Sequence, residues 1–206
     1  MISVCIVGIN QWVEYTSPLI EQIKQFEPDV NIVVVDNDSA VPYPEGDGYK
    51  TVRTLRTCYA EAINNAIEHA KADWYLVLNN DVKCHGKFKD IIEKQSPEAL
   101  YGRQIITQDD RTWLGIWLAL VSDQIWNDVG LFDSGFKMCG FEDADYCVRA
   151  ADMGYPTAPI DLPFYHYWGK TRWGLPEYPK VRLENIDYFE KKHGYRLGNN
   201  MVVTHD

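Results

Sequence analysis

Trp74-Tyr75-Leu76-Val77-Leu78-Asn79-Asn80-Asp81-Val82 opens with five apolar residues and then stops on two amides and a carboxylate. An apolar run this short, bounded by polar residues, reads as a strand buried on both faces with its carboxyl end toward solvent. In open α/β sheets that edge is where ligands bind. A carboxylate there, with no basic neighbour before Lys83, suits a hard divalent cation held through oxygen. The plainer reading is that Asn79-Asn80-Asp81 only turns the chain.

Upstream of this strand the pattern alternates. Ser3 to Gly8 reads as a first strand, Ser17-Pro18 with Glu21 as the start of a helix reaching about Phe26, and Asn31 to Val35 as a second strand. Pro42, Pro44, Gly46 and Gly48 mark a surface loop before a third strand at Lys50 to Leu55. A helix with Ala60, Ile63, Ile67 and Ala70 on one stripe then leads into Trp74. Such alternation implies right-handed crossovers and an open, mainly parallel sheet flanked by helices, the α/β class.

Downstream the pattern predicts a strand at Ala99 to Ile106, a turn at Gln108 to Arg111 and a strand at Trp113 to Val121, a smaller antiparallel portion. Ser122 is placed to cap a short helix ending at Val129. A longer helix is expected from about Glu142 to Met153, with Gly154 as its left-handed stop. Pro179 opens a last helix that Gly194 closes. No repeat, low-complexity tract or linker divides the chain, so one domain over residues 1–206 is expected.

With 206 residues, 46% of them hydrophobic and 24% charged, the chain can bury a sizeable core. The net charge of −10 argues against a surface that tracks nucleic-acid phosphates or an anionic membrane. No charged-then-apolar leader precedes Ser3, and the stretch from Trp113 to Val121 is far too short to span a bilayer. The expectation is a cytoplasmic protein. Cys5, Cys58, Cys84, Cys139 and Cys147 are odd in number and include no Cys-x-x-Cys pair, so reduced, packed thiols are expected.

Further blocks accompany the opening motif in order: Ile32-Val-Val-Val-Asp-Asn-Asp-Ser39, Cys58-Tyr-Ala-Glu-Ala-Ile-Asn-Asn-Ala-Ile67, Leu78-Asn-Asn-Asp-Val82, Val129-Gly-Leu-Phe-Asp133, and Phe141-Glu-Asp-Ala-Asp-Tyr-Cys-Val-Arg149 followed by Met153-Gly-Tyr155. Together they resemble the signatures of GT-A glycosyltransferases of the family 2 type. Asn185-Ile-Asp-Tyr-Phe-Glu-Lys-Lys-His-Gly194 resembles the helix that often closes such domains, so the likeness runs from residue 3 to about 195. It implies a Rossmann-like GT-A domain, with a nucleotide-binding half over about 1–100 and an acceptor half over about 101–195.

The resemblance assigns roles by position. Asp36, at the end of a buried strand, is expected to contact the base or ribose of a nucleotide, in a pocket shared with Gly8, Asn10 and Asn80. Without the resemblance, Asp36-Asn37-Asp38-Ser39 is an Asx-turn. Asn64 falls where the family has an asparagine bordering the nucleotide, and otherwise reads as an exposed helical amide. Cys58 stands where a glycine is usual.

The resemblance makes Asp81 the expected metal ligand of an Asp-x-Asp-type motif, written here Asn79-Asn80-Asp81. It makes His166 another metal or diphosphate contact, although a histidine between aromatics more often packs. One carboxylate supplies little charge, so the donor's diphosphate is expected to complete the shell around Mn²⁺ or Mg²⁺. Lys170 and Arg172, between Trp168 and Trp173, are further candidates for diphosphate contact.

Glu142, Asp143 and Asp145 fall in the first turn of a helix, where carboxylates complement the dipole and are favoured in the ionised form a base needs. The resemblance makes Asp143 the base for the acceptor hydroxyl and Glu142 an acceptor contact. Arg149 is spaced to brace Asp145 across one turn.

The expected activity is a metal-dependent, inverting transfer of a sugar from a nucleotide-diphosphate donor, with a UDP-sugar favoured. The acceptor is a hydroxyl on a polysaccharide, a protein, a lipid-linked sugar or a modified base, with room for a partner subunit or a second copy to complete its wall. Two alternatives are weighed: a catalytically silent GT-A-like binding module, and a sugar nucleotidyltransferase. The second wants a glycine-rich basic loop after the first strand, and Gly8-Ile-Asn-Gln-Trp12 is neither.

Overall fold

The computed structural model describes residues 1–108, 111–167, 176–197 and, for backbone only, 202–204. Its centre is β1 (Ile2–Gly8), flanked in parallel by β2 (Asn31–Asn37) on one side and β4 (Trp74–Asn79) on the other, with β3 (Lys50–Thr54) parallel beyond β2. Strands β1, β2 and β4 are apolar at nearly every position because both faces are covered, whereas β3, at the sheet edge, is partly exposed and polar. Cys5, Val7, Val33, Val35, Tyr75 and Val77 face α2 (Tyr59–Ala70) and the second-half helices. Ile2, Val4, Ile6, Ile32, Val34, Leu76 and Leu78 face α1 (Ser17–Phe26). Each fully buried Val or Ile contributes roughly 1.5–3 kcal/mol of transfer free energy, and the alternation shares that gain between two cores.

On the far side of β4 the sheet continues antiparallel through β9 (Leu118–Ser122) to β6 (Leu100–Gly102), and then parallel to β10 (Thr157–Pro159), giving the order β10-β6-β9-β4-β1-β2-β3. Two smaller sheets rise from this one. One is the ribbon of β5 (Val82–Cys84) with β11 (Phe164–His166). The other comprises β7 (Ile105–Gln108), β8 (Arg111–Leu114) and β12 (Val202–Thr204).

The two long strands expected in the second half are each broken in two. Ala99 to Ile106 divides into β6 and β7, and Trp113 to Val121 into β8 and β9, because the chain leaves the main sheet and returns to it. Glycines make the corner passable. A Cβ on Gly102 would meet Leu114 Cδ2 at 2.7 Å and the Leu118 carbonyl oxygen at 3.2 Å, and Gly115 N donates to the Gln104 carbonyl at 2.9 Å.

Helix ends follow the capping chemistry. Ser122 Oγ accepts from Ile125 N at 3.2 Å at the head of α4 (Asp123–Val129). Gly154, with φ of +90°, follows α5 (Glu142–Asp152), and Gly194, with φ of +77°, closes α6 (Tyr178–His193). The short α3 (Lys89–Ile92) is held by Glu27, whose Oε1 accepts from Phe88 N and Lys89 N. Among the described residues no helix is long and apolar enough to cross a membrane, and all five cysteines are free thiols.

Parallel pairing brings the carboxyl ends of the central strands to one edge, where Gly8 lies beside Asp36 and Val7 beside Asn79. The chain leaves β1 there through two consecutive left-handed residues, Asn10 and Gln11. One wide π-helical turn, Trp12–Thr16, then runs into α1.

Candidate active site

A crevice of about 490 Å³ opens at this edge, between the ends of β1, β2 and β4 and the head of α5. Asp81 lies between β4 and β5, two residues after Asn79, and is 2% exposed. The β5–β11 ribbon pairs His166 with Val82, and Tyr167 N donates to the Asp81 carbonyl at 3.0 Å. This brings His166 Nε2 to 3.1 Å from Asp81 Oδ1. The imidazole stacks flat on Trp117, with centroids 4.9 Å apart and planes 3° from parallel.

Asn79 Nδ2 lies 3.4 Å from the same His166 nitrogen, and Tyr59 Oη donates to Asn79 Oδ1. Burial first, then the charges of Glu142 and Asp81, the thiol Cys139 and the carboxylate Asp143, push the Tyr59 phenol well above its ordinary range. It therefore keeps its proton and acts as a donor to Asn79.

Across the crevice, Gly140 (φ +108°) and Phe141 (φ +75°) turn the chain sharply into α5. Glu142, buried, accepts from Gly140 N. Asp143 accepts from Ala144 N at 2.9 Å through Oδ1 and from Ile116 N at 3.4 Å through Oδ2. Both line the same crevice as Asp81 and His166. Asp145 turns the other way, into the protein, and Arg149 Nε donates to it at 2.9 Å as the four-residue spacing predicts. Lys192 at 2.6 Å and His193 at 2.8 Å hold its second oxygen.

Asp81 and His166 together present one oxygen and one nitrogen donor at the crevice floor, a set that suits Mn²⁺ and admits Mg²⁺. Among the described residues no cluster of three or more His, Cys, Asp or Glu assembles a complete metal site. A divalent ion held by this pair would need other oxygens to complete its shell.

Other expected residues sit differently. Gly8 and Asn80 line the crevice, and a Cβ on Gly8 would meet Tyr43 Oη at 2.6 Å and Asn80 Nδ2 at 3.0 Å, so that position needs a glycine. Asn80 Nδ2 donates to Thr16 Oγ1. Asn10 fastens the neighbouring loop, accepting from Ala40 N at 2.9 Å and donating its own N–H to Ser39 Oγ at 2.7 Å.

Asp36 does not open onto the crevice. It is fully buried, with Oδ1 accepting from Ser39 N and Oδ2 from Tyr43 N and Arg53. Its local turn outcompetes a ligand-facing pose because the loop's buried N–H groups need an acceptor. Burial alone would raise its pKa, but the bonds from Ser39 and Tyr43 and the Arg53 charge outweigh it and hold the carboxyl below the usual range.

Asn64 is likewise neither a crevice residue nor an exposed amide. It is buried and closes a double hydrogen bond with the backbone of Phe132, 2.9 Å each way, joining α2 to the segment after α4. Lys170, with Trp168, Arg172 and Trp173, lies outside the described residues.

Sequence reasoning missed Tyr59, Trp117 and Arg56, all on the lining. Trp117 is hidden inside an apolar run. Arg56-Thr57, however, is a polar break between a strand and a helix at the ligand-binding edge, a signal that was there to read.

The sequence matches no protein-family model and no curated protein. Solved structures do match in shape. The mannosyltransferase PcManGT from Pyrobaculum calidifontis, in complex with GDP-Man and Mn²⁺, superposes with a TM-score of 0.68 at 16% identity over 96% of this chain and 65% of its own. GalNAc-T7 with UDP, GalNAc and Mn²⁺ gives 0.67 at 14% identity over 97% and 52%, and TarS of S. aureus gives 0.59 at 13% over 80% and 36%. The chain thus spans about a third to two thirds of the length of these structures. The sheet order, the crevice at its carboxyl edge and these superpositions agree on one architecture: the chain has a GT-A-like glycosyltransferase fold.

Proposed function

We propose that this protein is an inverting glycosyltransferase that moves a sugar from a nucleotide-diphosphate donor, with a UDP-sugar favoured, to a hydroxyl acceptor. The observation that carries this reading is the crevice itself. The Asp81–His166 pair lies on one side and Asp143, at the head of α5, on the other, so leaving-group and proton-accepting chemistry face one cavity. The GDP-Man and UDP held by structural neighbours support a nucleotide-sugar donor, and the Mn²⁺ in the same complexes supports a divalent ion.

In this reading the acceptor O–H loses its proton to the Asp143 carboxylate as its oxygen bonds to the anomeric carbon. The bond from that carbon to the diphosphate oxygen breaks on the opposite face, and the electron pair leaves with the nucleoside diphosphate. Ile116 N and Ala144 N fix the Asp143 oxygens, while Glu142 holds the Gly140 turn beside the acceptor. Asp81 and His166 would hold Mn²⁺ or Mg²⁺, which when bound neutralises charge on the departing diphosphate. Trp117 and Asn79 keep the His166 ring in place for that task.

We read the whole chain as one such domain in the cytoplasm. This reading leaves room for a large acceptor, a partner subunit or a second copy beside Asp143. A thermal-shift screen of uridine, guanosine and thymidine diphosphate sugars, with Mn²⁺ or with a chelator, tests the reading. A true donor at a hundredfold its Kd stabilises the native state by about 2.7 kcal/mol. Stabilisation should be larger with metal, and a flat response to every sugar nucleotide would refute the donor site.

A further inference from the structure

The crevice is acidic, since Asp81, Glu142 and Asp143 all line it, and among its described lining residues Arg56 is the only lysine or arginine. Arg56 is also placed deliberately. Asn37, the last residue of β2, clasps the segment after β3: its Nδ2 donates to the Thr57 carbonyl at 3.0 Å, and its Oδ1 accepts from Thr57 N at 2.9 Å and from the hydroxyls of Thr54 and Thr57 at 3.3 Å each. On the other side Arg53 ties the end of β3 to Asp36 and to the Ser39 carbonyl. A loop pinned at both ends holds Arg56 at the crevice with an exposed side chain.

Position along the sheet edge indicates what Arg56 faces. Strands β4, β1, β2 and β3 are consecutive neighbours. Asn37 holds Thr57 at the end of β2, two strands from β4, so at about 4.8 Å per strand the Arg56-Thr57 segment lies roughly 10 Å from the end of β4, near which Asp81 sits. That is about the reach of a nucleoside diphosphate from its phosphates to its base. The carboxylate expected to read the base, Asp36, is sealed beneath the loop.

Resting on the donor reading above, we infer that Arg56 reads the nucleobase, and that the crevice selects bases presenting a carbonyl acceptor over adenine. A guanidinium has only donors. It can address O2 or O4 of uracil, or O6 with N7 of guanine as a bidentate pair, whereas adenine offers no carbonyl.

The test is calorimetry with UDP, GDP and ADP in Mn²⁺, at two salt concentrations, on the wild type, Arg56→Ala and Arg56→Lys, each checked for an unchanged melting temperature. The wild type should bind UDP or GDP at least about tenfold more tightly than ADP, and Arg56→Ala should erase that difference while leaving ADP nearly unaffected. Arg56→Lys, with its charge but without the planar fork, should restore little of it. Equal, salt-sensitive losses for all three nucleotides would show that Arg56 holds phosphate and would overturn the inference, as would wild-type affinities in Arg56→Ala. No binding of any nucleotide to the wild type would instead refute the donor reading, and the inference with it.

Discussion

His166 Nε2 lies 3.1 Å from Asp81 Oδ1, although 85 positions separate the two residues in the chain. The ribbon of β5 and β11 makes the encounter, because pairing His166 with Val82 puts the imidazole next to the residue that ends the Asn79-Asn80-Asp81 motif. Trp117, returning to the main sheet from the second-half excursion, supplies the flat surface beneath the ring.

Asp81→Ala is expected to abolish the metal-dependent part of donor binding and leave a weaker, metal-independent remainder. The reason is that Asp81 Oδ1 and His166 Nε2 lie together at 3.1 Å and, in the proposed reading, would hold the ion as a pair. Calorimetry with UDP in Mn²⁺ and in chelator measures both parts. Unaltered metal dependence in the variant would show that the ion is held elsewhere.

Asp143→Asn is expected to bind donor at near-native affinity and to lose transfer by at least about 10²-fold, the lower end of what a positioned base contributes. Asp145→Asn should do the reverse. Its carboxylate is fully buried between Arg149, Lys192 and His193, so its loss should cost stability toward the lower end of about 3–5 kcal/mol while the folded fraction still transfers sugar. Product assays beside melting curves separate the two. Native transfer by Asp143→Asn would unseat it as the base.

Asn64→Ala should destabilise the protein by about 1–3 kcal/mol, because it leaves both backbone groups of Phe132 without a buried partner. Donor affinity of the folded variant should stay native, since Asn64 is not on the crevice lining. Denaturant titration and calorimetry check the two halves, and a selective loss of nucleotide affinity would return Asn64 to the binding site.

For Asp36 the folded state favours the charged carboxylate, so its pKa is depressed on folding. The stabilisation is therefore present above the unfolded value, about 3.9, and is lost as pH falls through the lower folded value. Asp36→Asn should be less stable than the wild type at pH 7, with the gap shrinking steadily below about pH 4. Urea denaturation of both proteins from pH 7 to pH 3 provides the comparison. A pH-independent gap would mean that shape, not charge, is what Asp36 contributes.

The sequence alone determined the parallel sheet, the carboxyl edge at which its polar motifs gather, and the helix ends. The runs Ile32–Val35 and Trp74–Leu78 carry buried strands, while Ser122, Gly154 and Gly194 carry caps. The pair Asp145 and Arg149 lies one helical turn apart. All of these are encoded within a few residues, in periodicity, in capping geometry and in left-handed glycines, so they can be read without knowing the neighbours. Tertiary structure alone decided where the chain changes sheets between β6 and β7 and between β8 and β9. Gly102-Arg103-Gln104 and Gly115 interrupt the two runs there, but a glycine or a polar pair does not by itself say that the chain leaves one sheet for another, and the meeting of Gly102 with Leu114 and Leu118 fixes it. The same holds for the placement of Trp117 beneath His166, of Asn64 against Phe132, and of Arg56 rather than Asp36 on the crevice wall. Each turns on which partner a polar or aromatic group finds, sometimes dozens of residues away, and that competition is settled only when the layers pack.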